Sequence, residues 1–157
     1  VPKKKFDASF PGTTITRRQI IQGSKGPEYL VTESFEPSSL SKIDKFGNTA
    51  YCVNYIDFQR EPMNQMSADL KKKFLHDSSL KNPVIQNGGE VLSIKESTID
   101  GFPCSEMRAL ILGGQLEFYS KTFFRDNYLY QVIVLSLPKK SNNEASKKFM
   151  ESFHHHK

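Results

Sequence analysis

The stretch from Ile99 to Phe153 limits the fold more than any other part of the chain. Cys104 to Leu112 and Gln115 to Arg125 flank Gly113-Gly114, a two-residue hairpin signal. Asp126-Asn127, a pair that tolerates positive φ, then turns the chain into Tyr128 to Leu137. In that last strand Tyr130, Val132 and Val134 face one way, and Leu129, Ile133, Leu135 and Leu137 face the other. A strand that is apolar on both faces needs a packed layer on each side of its sheet. Pro138 stops the strand, and Ser141 or Asn142 is placed to cap a final helix with Glu144 in its first turn. Ala145, Phe149 and Phe153, four residues apart, form the apolar stripe of that helix.

Upstream, Lys5 to Phe10 alternates as a half-buried strand and ends at Pro11-Gly12. Thr13 to Gln22 and Tyr29 to Phe35 read as strands around a turn at residues 23–27. Pro37 to Asn48 is polar and is the best candidate for a mobile loop. Thr49 to Phe58 is a strand with Tyr51, Val53 and Tyr55 on one face and Cys52, Ile56 and Phe58 on the other. Met63, Met66, Leu70 and Phe74 make one stripe of a helix spanning about Met63 to Ser78, and Lys71, Lys72 and Lys73 occupy much of the rest of that turn. Glu90 to Ile99 alternates as a further strand, and Asp100-Gly101-Phe102-Pro103 turns the chain after it. The runs share no fixed period, which excludes a solenoid.

A chain of 157 residues with 37% apolar and 11% aromatic side chains suits one domain with a real core rather than a disordered chain. Residues 1–153 form that domain in this reading, and His154 to Lys157 form a tail, read as a tag remnant or solvated end rather than a metal site. No apolar run approaches the ~20 residues of a membrane span. The start at Val1-Pro2-Lys3, without Met, is expected of a removed secretory signal or of a trimmed boundary.

The net charge is +5, with basic clusters at Arg17-Arg18 and Lys71-Lys72-Lys73 among others, interspersed with acids. A solvated, positively biased surface is the plain reading, and attraction to an anionic partner the sharper one. No Gly-rich phosphate loop is present, since Gly113-Gly114 joins two strands rather than opening a helix. His-Glu-x-x-His, Cys-x-x-Cys and Gly-x-Ser-x-Gly do not occur. Neither a cofactor nor a metal is expected. Glu106 and Arg108 share a strand face, read as a surface ion pair. A hydrolase would need a site assembled from distant residues such as Asp57, Glu106 and Arg108. Phe118, Tyr119, Phe123, Phe124, Tyr128 and Tyr130 are assigned to the core, not to a nucleic-acid stacking platform, so no nucleic-acid partner is expected. Cys52 and Cys104 permit one disulfide closing a loop of roughly fifty residues, worth ~4 kcal/mol in the chain-entropy account. Two buried free thiols are the equal alternative.

Five segments in order resemble the PsbP-like family: Phe6-Asp7-Ala8-Ser9-Phe10-Pro11-Gly12, Tyr51-x-Val53-x-Tyr55-x-Asp57, Ile99-Asp100-Gly101-Phe102-Pro103, Tyr119 to Val134 around Asn-Tyr-Leu-Tyr-Gln, and Ala145-x-x-x-Phe149-x-x-Ser152-Phe153. The likeness is to small exported bacterial members. It implies an α+β fold, a three-layer α/β/α sandwich with a central antiparallel sheet, and an accessory role without a shared active site. Relatives tend to carry Gly where this chain has Cys104, which favours the disulfide slightly. The expectation is therefore a non-enzymatic secreted or periplasmic protein, of which a secreted virulence-type factor is one form. It docks a protein or anionic partner through Lys71, Lys72, Lys73, Arg17 and Arg18. An anionic lipid surface is the alternative partner.

Overall fold

The computed structural model describes residues 3–23, 26–37, 42–58, 66–73, 75 and 82–157. Seven strands form one antiparallel sheet: β2 (Ile15–Gly23), β3 (Gly26–Phe35), β4 (Asn48–Asp57), β5 (Glu90–Ile99), β6 (Phe102–Ile111), β7 (Leu116–Arg125) and β8 (Tyr128–Ser136). Their order across the sheet is β2-β3-β4-β8-β7-β6-β5. β1 (Phe6–Asp7) stands apart and pairs with β9 (His154–His155). The described helices are α1 (Ala68–Lys73), α2 (Asn82–Gln86) and α3 (Glu144–Ser152). Among the described residues, no helix is long and apolar enough to cross a membrane.

Turn chemistry sets the register. Asp100 and Gly101 both hold positive φ, at 50° and 76°, and join Ile99 to Phe102 in a two-residue hairpin of the kind whose twist suits paired strands. Asp126, at φ 53°, does the same work between Arg125 and Tyr128. The Gly-Gly hairpin is longer than its two glycines suggest. Ile111 pairs with Leu116, so the loop is Leu112 to Gln115, with Leu112 itself at φ 51°.

α3 covers one face of the sheet, here the front. Phe123, Tyr130, Tyr55 and Val31 lie opposite one another on successive strands and make one row of this face. Phe149 meets Tyr51 edge-on at 5.3 Å, and Phe153 sits 5.3 Å from Tyr130 and 5.4 Å from Phe123. The rings at Tyr119, Phe123, Tyr128 and Tyr130 are buried in or beside this core, as their alternation predicts.

The back face is covered in patches. Leu75 packs with Phe58 and Leu129, supported by Ile56, Met66 and Phe124. Val84 of α2 packs on Met107 and Ala109. The α3 layer is thus the one fully formed among the described residues. Leu70, expected in the apolar stripe, is instead 56% exposed, because α1 buries none of its residues. Met63, Phe74 and residues 76–78 of the expected helix, His76 among them, lie outside the described residues.

Two expectations change at the ends of the chain and at the cysteines. The Lys5–Phe10 strand shrinks to Phe6–Asp7, since its partner is the two-residue β9 rather than the main sheet. His154 and His155 are accordingly part of the fold, not a solvated tail. The His155 amide donates to Asp100 Oδ2 (3.0 Å), and its ring Nδ1 lies 3.0 Å from the buried Tyr130 hydroxyl. Cys52 and Cys104 are free, so the permitted disulfide is not formed. They lie on β4 and β6, with β8 and β7 between them, and their side chains point to opposite faces. Burial pushes each thiol up to about 11, which keeps both protonated and unreactive near neutral pH.

The His155 contacts make stability depend on pH. Burial lowers the His155 pKa from 6.5, only partly offset by the Asp126 carboxylate, while Arg125 and Lys5 also disfavour its charge. The unfolded chain therefore takes up this proton first, and the contribution, complete above about 6.5, is lost as pH falls through that value toward the lower folded pKa. Thermal midpoints of the wild type should drop between pH 7.5 and 5.5, and a His155→Phe variant should lose part of that slope. Parallel pH profiles for the two proteins would rule the assignment out.

Candidate functional site

On the front face, beside the N-terminal end of α3, the sheet leaves a charged cleft of about 530 Å³ lined by Lys95, Glu106, Arg108, Glu117, Tyr119, Lys139, Ser141, Asn142 and Lys147. Strand alternation builds its floor. Glu106 and Arg108, two apart on β6, both point forward, with Lys95 of β5 opposite Glu106 and Tyr119 of β7 opposite Arg108. The turn after β8 builds its wall. Lys139 takes a positive φ of 64°, just after Pro138, and its amide donates to Glu117 Oε1 at 3.4 Å.

Arg108 is the hub. Its guanidinium lies 4.0 Å above the Tyr119 ring, 3.8 Å from Glu106 and 4.0 Å from Glu117, and donates to Ser141 Oγ. Glu106 and Glu117 are buried, and a buried carboxylate needs a cation beside it. Burial, then the Glu106 charge, pushes the Tyr119 phenol up to about 12, so it stays neutral. Lys95 Nζ reaches Glu106 at 3.8 Å. Lys139 and Lys147 are exposed at the rim. Four cationic side chains thus face two carboxylates that Arg108 already engages. Such a recess favours an anion.

The sequence paired Glu106 with Arg108 correctly but read them as a surface ion pair, whereas the carboxylate is buried. It did not point to Glu117, Tyr119, Lys139 and Lys147 as their neighbours, because cross-strand register and the turn at Lys139 bring them together. Asp57 is not part of this cluster. It lies at the end of β4 opposite Tyr128, three strands from β6, so the distant-residue hydrolase site does not assemble from these three.

The basic residues expected to bind an anionic partner are not brought together either. Arg17 and Arg18 stand on edge strand β2, where alternation sends them to opposite faces. Lys71 and Lys72 border a separate hollow of about 430 Å³ with Glu96, Ser105 and Phe124, near the other edge. Lys72 is paired there with Glu96, and Lys73 is exposed. Among the described residues, no three His, Cys, Asp or Glu side chains are placed to hold a metal ion.

No family model matches the chain, and no curated protein matches it. Among solved structures, the chain is similar to the solution structure of cyanobacterial PsbP (CyanoP) from Synechocystis sp. PCC 6803. That match has 10% identity and a TM-score of 0.44, and it covers 96% of this chain and 98% of that one.

Proposed function

We propose that this domain is a non-enzymatic docking module whose Arg108 cleft receives an acidic segment of a protein partner. The observation that carries the reading is the excess of cations over carboxylates in the cleft, with Lys139 and Lys147 exposed at its mouth. Arg108 holds the two carboxylates and fixes the floor, which leaves the rim lysines to meet the partner. Low-dielectric walls strengthen such a field, so encounter is fast and sensitive to salt. The residue resemblance to exported PsbP-like proteins supports an accessory role outside the cytoplasm, secreted or periplasmic, on a three-layer frame.

A hexaglutamate peptide tests the site by calorimetry. It should bind at low salt and weaken steeply by about 150 mM. The double variant Lys139→Glu/Lys147→Glu, which alters exposed side chains only, should bind at least about tenfold more weakly. Equal binding by the two proteins would remove this cleft as the docking site.

A further inference from the structure

The back face carries a feature that the cleft does not explain. Thr32, Asn54, Gln131, Thr122 and Ser105 lie opposite one another on five consecutive strands, a polar row across an otherwise largely apolar surface. Thr32 Oγ1 donates to Asn54 Oδ1 at 2.8 Å, and Asn54 Nδ2 donates to Gln131 Oε1 at a long 3.4 Å. The ladder breaks at the next strand. Thr122 is 1% exposed and its hydroxyl has no hydrogen-bond partner. An orphaned buried hydroxyl is costly, and a valine of the same shape would avoid the cost. Beside this row lies an apolar one, Leu30, Ile56 and Leu129. Between them opens a pocket of about 330 Å³, lined by Leu30, Asn54, Tyr55, Ile56, Thr122, Leu129 and Gln131. That volume is at the lower end of the ~300–1,000 Å³ usual for small-molecule sites.

The geometry points to a second site here, for a small neutral amphiphile. Its head donates and accepts hydrogen bonds, and its short apolar body lies on Ile56 and Leu129. Neutrality follows from the lining, which among the described residues holds no charged side chain. Two carboxamides and a hydroxyl both donate and accept, so a primary amide or alcohol fits them, whereas a bare carboxylate brings a charge that nothing there neutralises. The Thr122 hydroxyl supplies the hydrogen bond that the protein itself leaves unmade. Nothing in this site depends on the front cleft, which lies across the sheet.

Hexanamide is the probe, titrated into the whole chain while the side-chain amide signals of Asn54 and Gln131 are followed by NMR, with hexanoate as comparator. Saturable shifts at both amides are expected, with hexanoate binding at least threefold more weakly. Thr122→Val, an isosteric change, should weaken hexanamide at least threefold and raise the thermal midpoint by about 3 °C or more, since it removes the orphaned group. Gln131→Leu should weaken hexanamide as well. Absence of saturable shifts, equal affinity for hexanoate, or unchanged affinity in either variant overturns the site. A lowered midpoint in Thr122→Val also overturns it, because the hydroxyl would then already be satisfied.

Discussion

Replacing Phe153 with alanine is expected to cost about 3–5 kcal/mol of folding stability, the range for deleting a buried aromatic ring. Phe153 is 1% exposed and follows the last turn of α3, where its amide donates back to Met150. Its ring stacks on Phe6 at 5.5 Å and meets Phe123 and Tyr130 edge-on at 5.4 and 5.3 Å. One side chain therefore ties β1, β7, β8 and α3 into one core. These neighbours are large, flat and held by their own strands, so they collapse poorly into the vacated space, and the cost belongs near the top of the range. Domains are stable by only about 5–15 kcal/mol in total, so the variant should unfold at much lower denaturant and at least ~6 °C lower in temperature. Phe153→Leu keeps part of the volume and should lose less. A loss below about 1 kcal/mol for the alanine variant would mean that the ring cluster does not centre on this residue.

The same cluster shows what was legible in the sequence. Phe149 and Phe153 repeat at helical spacing, and Tyr130, Val132 and Val134 repeat at strand spacing, so both the helix and its landing face follow from period alone. The Asp126-Asn127 turn was legible because two-residue hairpins require particular backbone angles, whereas the turn expected over Asp100 to Pro103 is shorter, since Phe102 and Pro103 already pair with Ile99 and Thr98. Leu112 misled. Positive φ is strained for leucine, and its place in the Leu112–Gln115 loop depends on the pairing of Ile111 with Leu116, not on local preference. The pairing of β1 with β9 joins residues nearly a whole chain apart and involves two histidines of a run that resembles a tag, so no local signal reveals it. Both candidate sites share this property. Lys139 reaches Glu117 through a turn, and Thr122 reaches Asn54 through the register of β7, β8 and β4. Composition and spacing name such residues singly, and pairing alone makes them neighbours.

Asn48→Ala should be the second most damaging change, at about 2–4 kcal/mol, although it removes only one small amide. Asn48 is fully buried at the first position of β4. Its Nδ2 donates to the Tyr51 hydroxyl at 2.7 Å, and its Oδ1 accepts from Asn143 Nδ2 at 2.8 Å. The Tyr51 hydroxyl in turn donates to Asp44 Oδ2 at 2.5 Å, and burial raises its pKa well above the usual phenol range. Asn143 caps α3 by accepting from the Ser146 amide at 2.8 Å. Alanine at 48 would remove a donor from the buried Tyr51 hydroxyl and leave one N–H of the half-buried Asn143 amide, which keeps its bond to the Lys140 carbonyl, without its partner. The penalty at the buried hydroxyl exceeds the ~1 kcal/mol net value of a single hydrogen bond. Asn143→Ala alone should cost about 1–2 kcal/mol as a lost cap. The double variant should cost less than the two singles together, by about 1 kcal/mol or more, because both remove parts of one network. Denaturant midpoints at unchanged m-value measure all three, and strict additivity would show that the two asparagines act independently. The network also holds the start of α3 and the residues just before it, which border the Arg108 cleft through Lys147 and through Ser141 and Asn142. Asn48→Ala, assayed where it is still folded, should therefore bind hexaglutamate more weakly although residue 48 never touches the peptide.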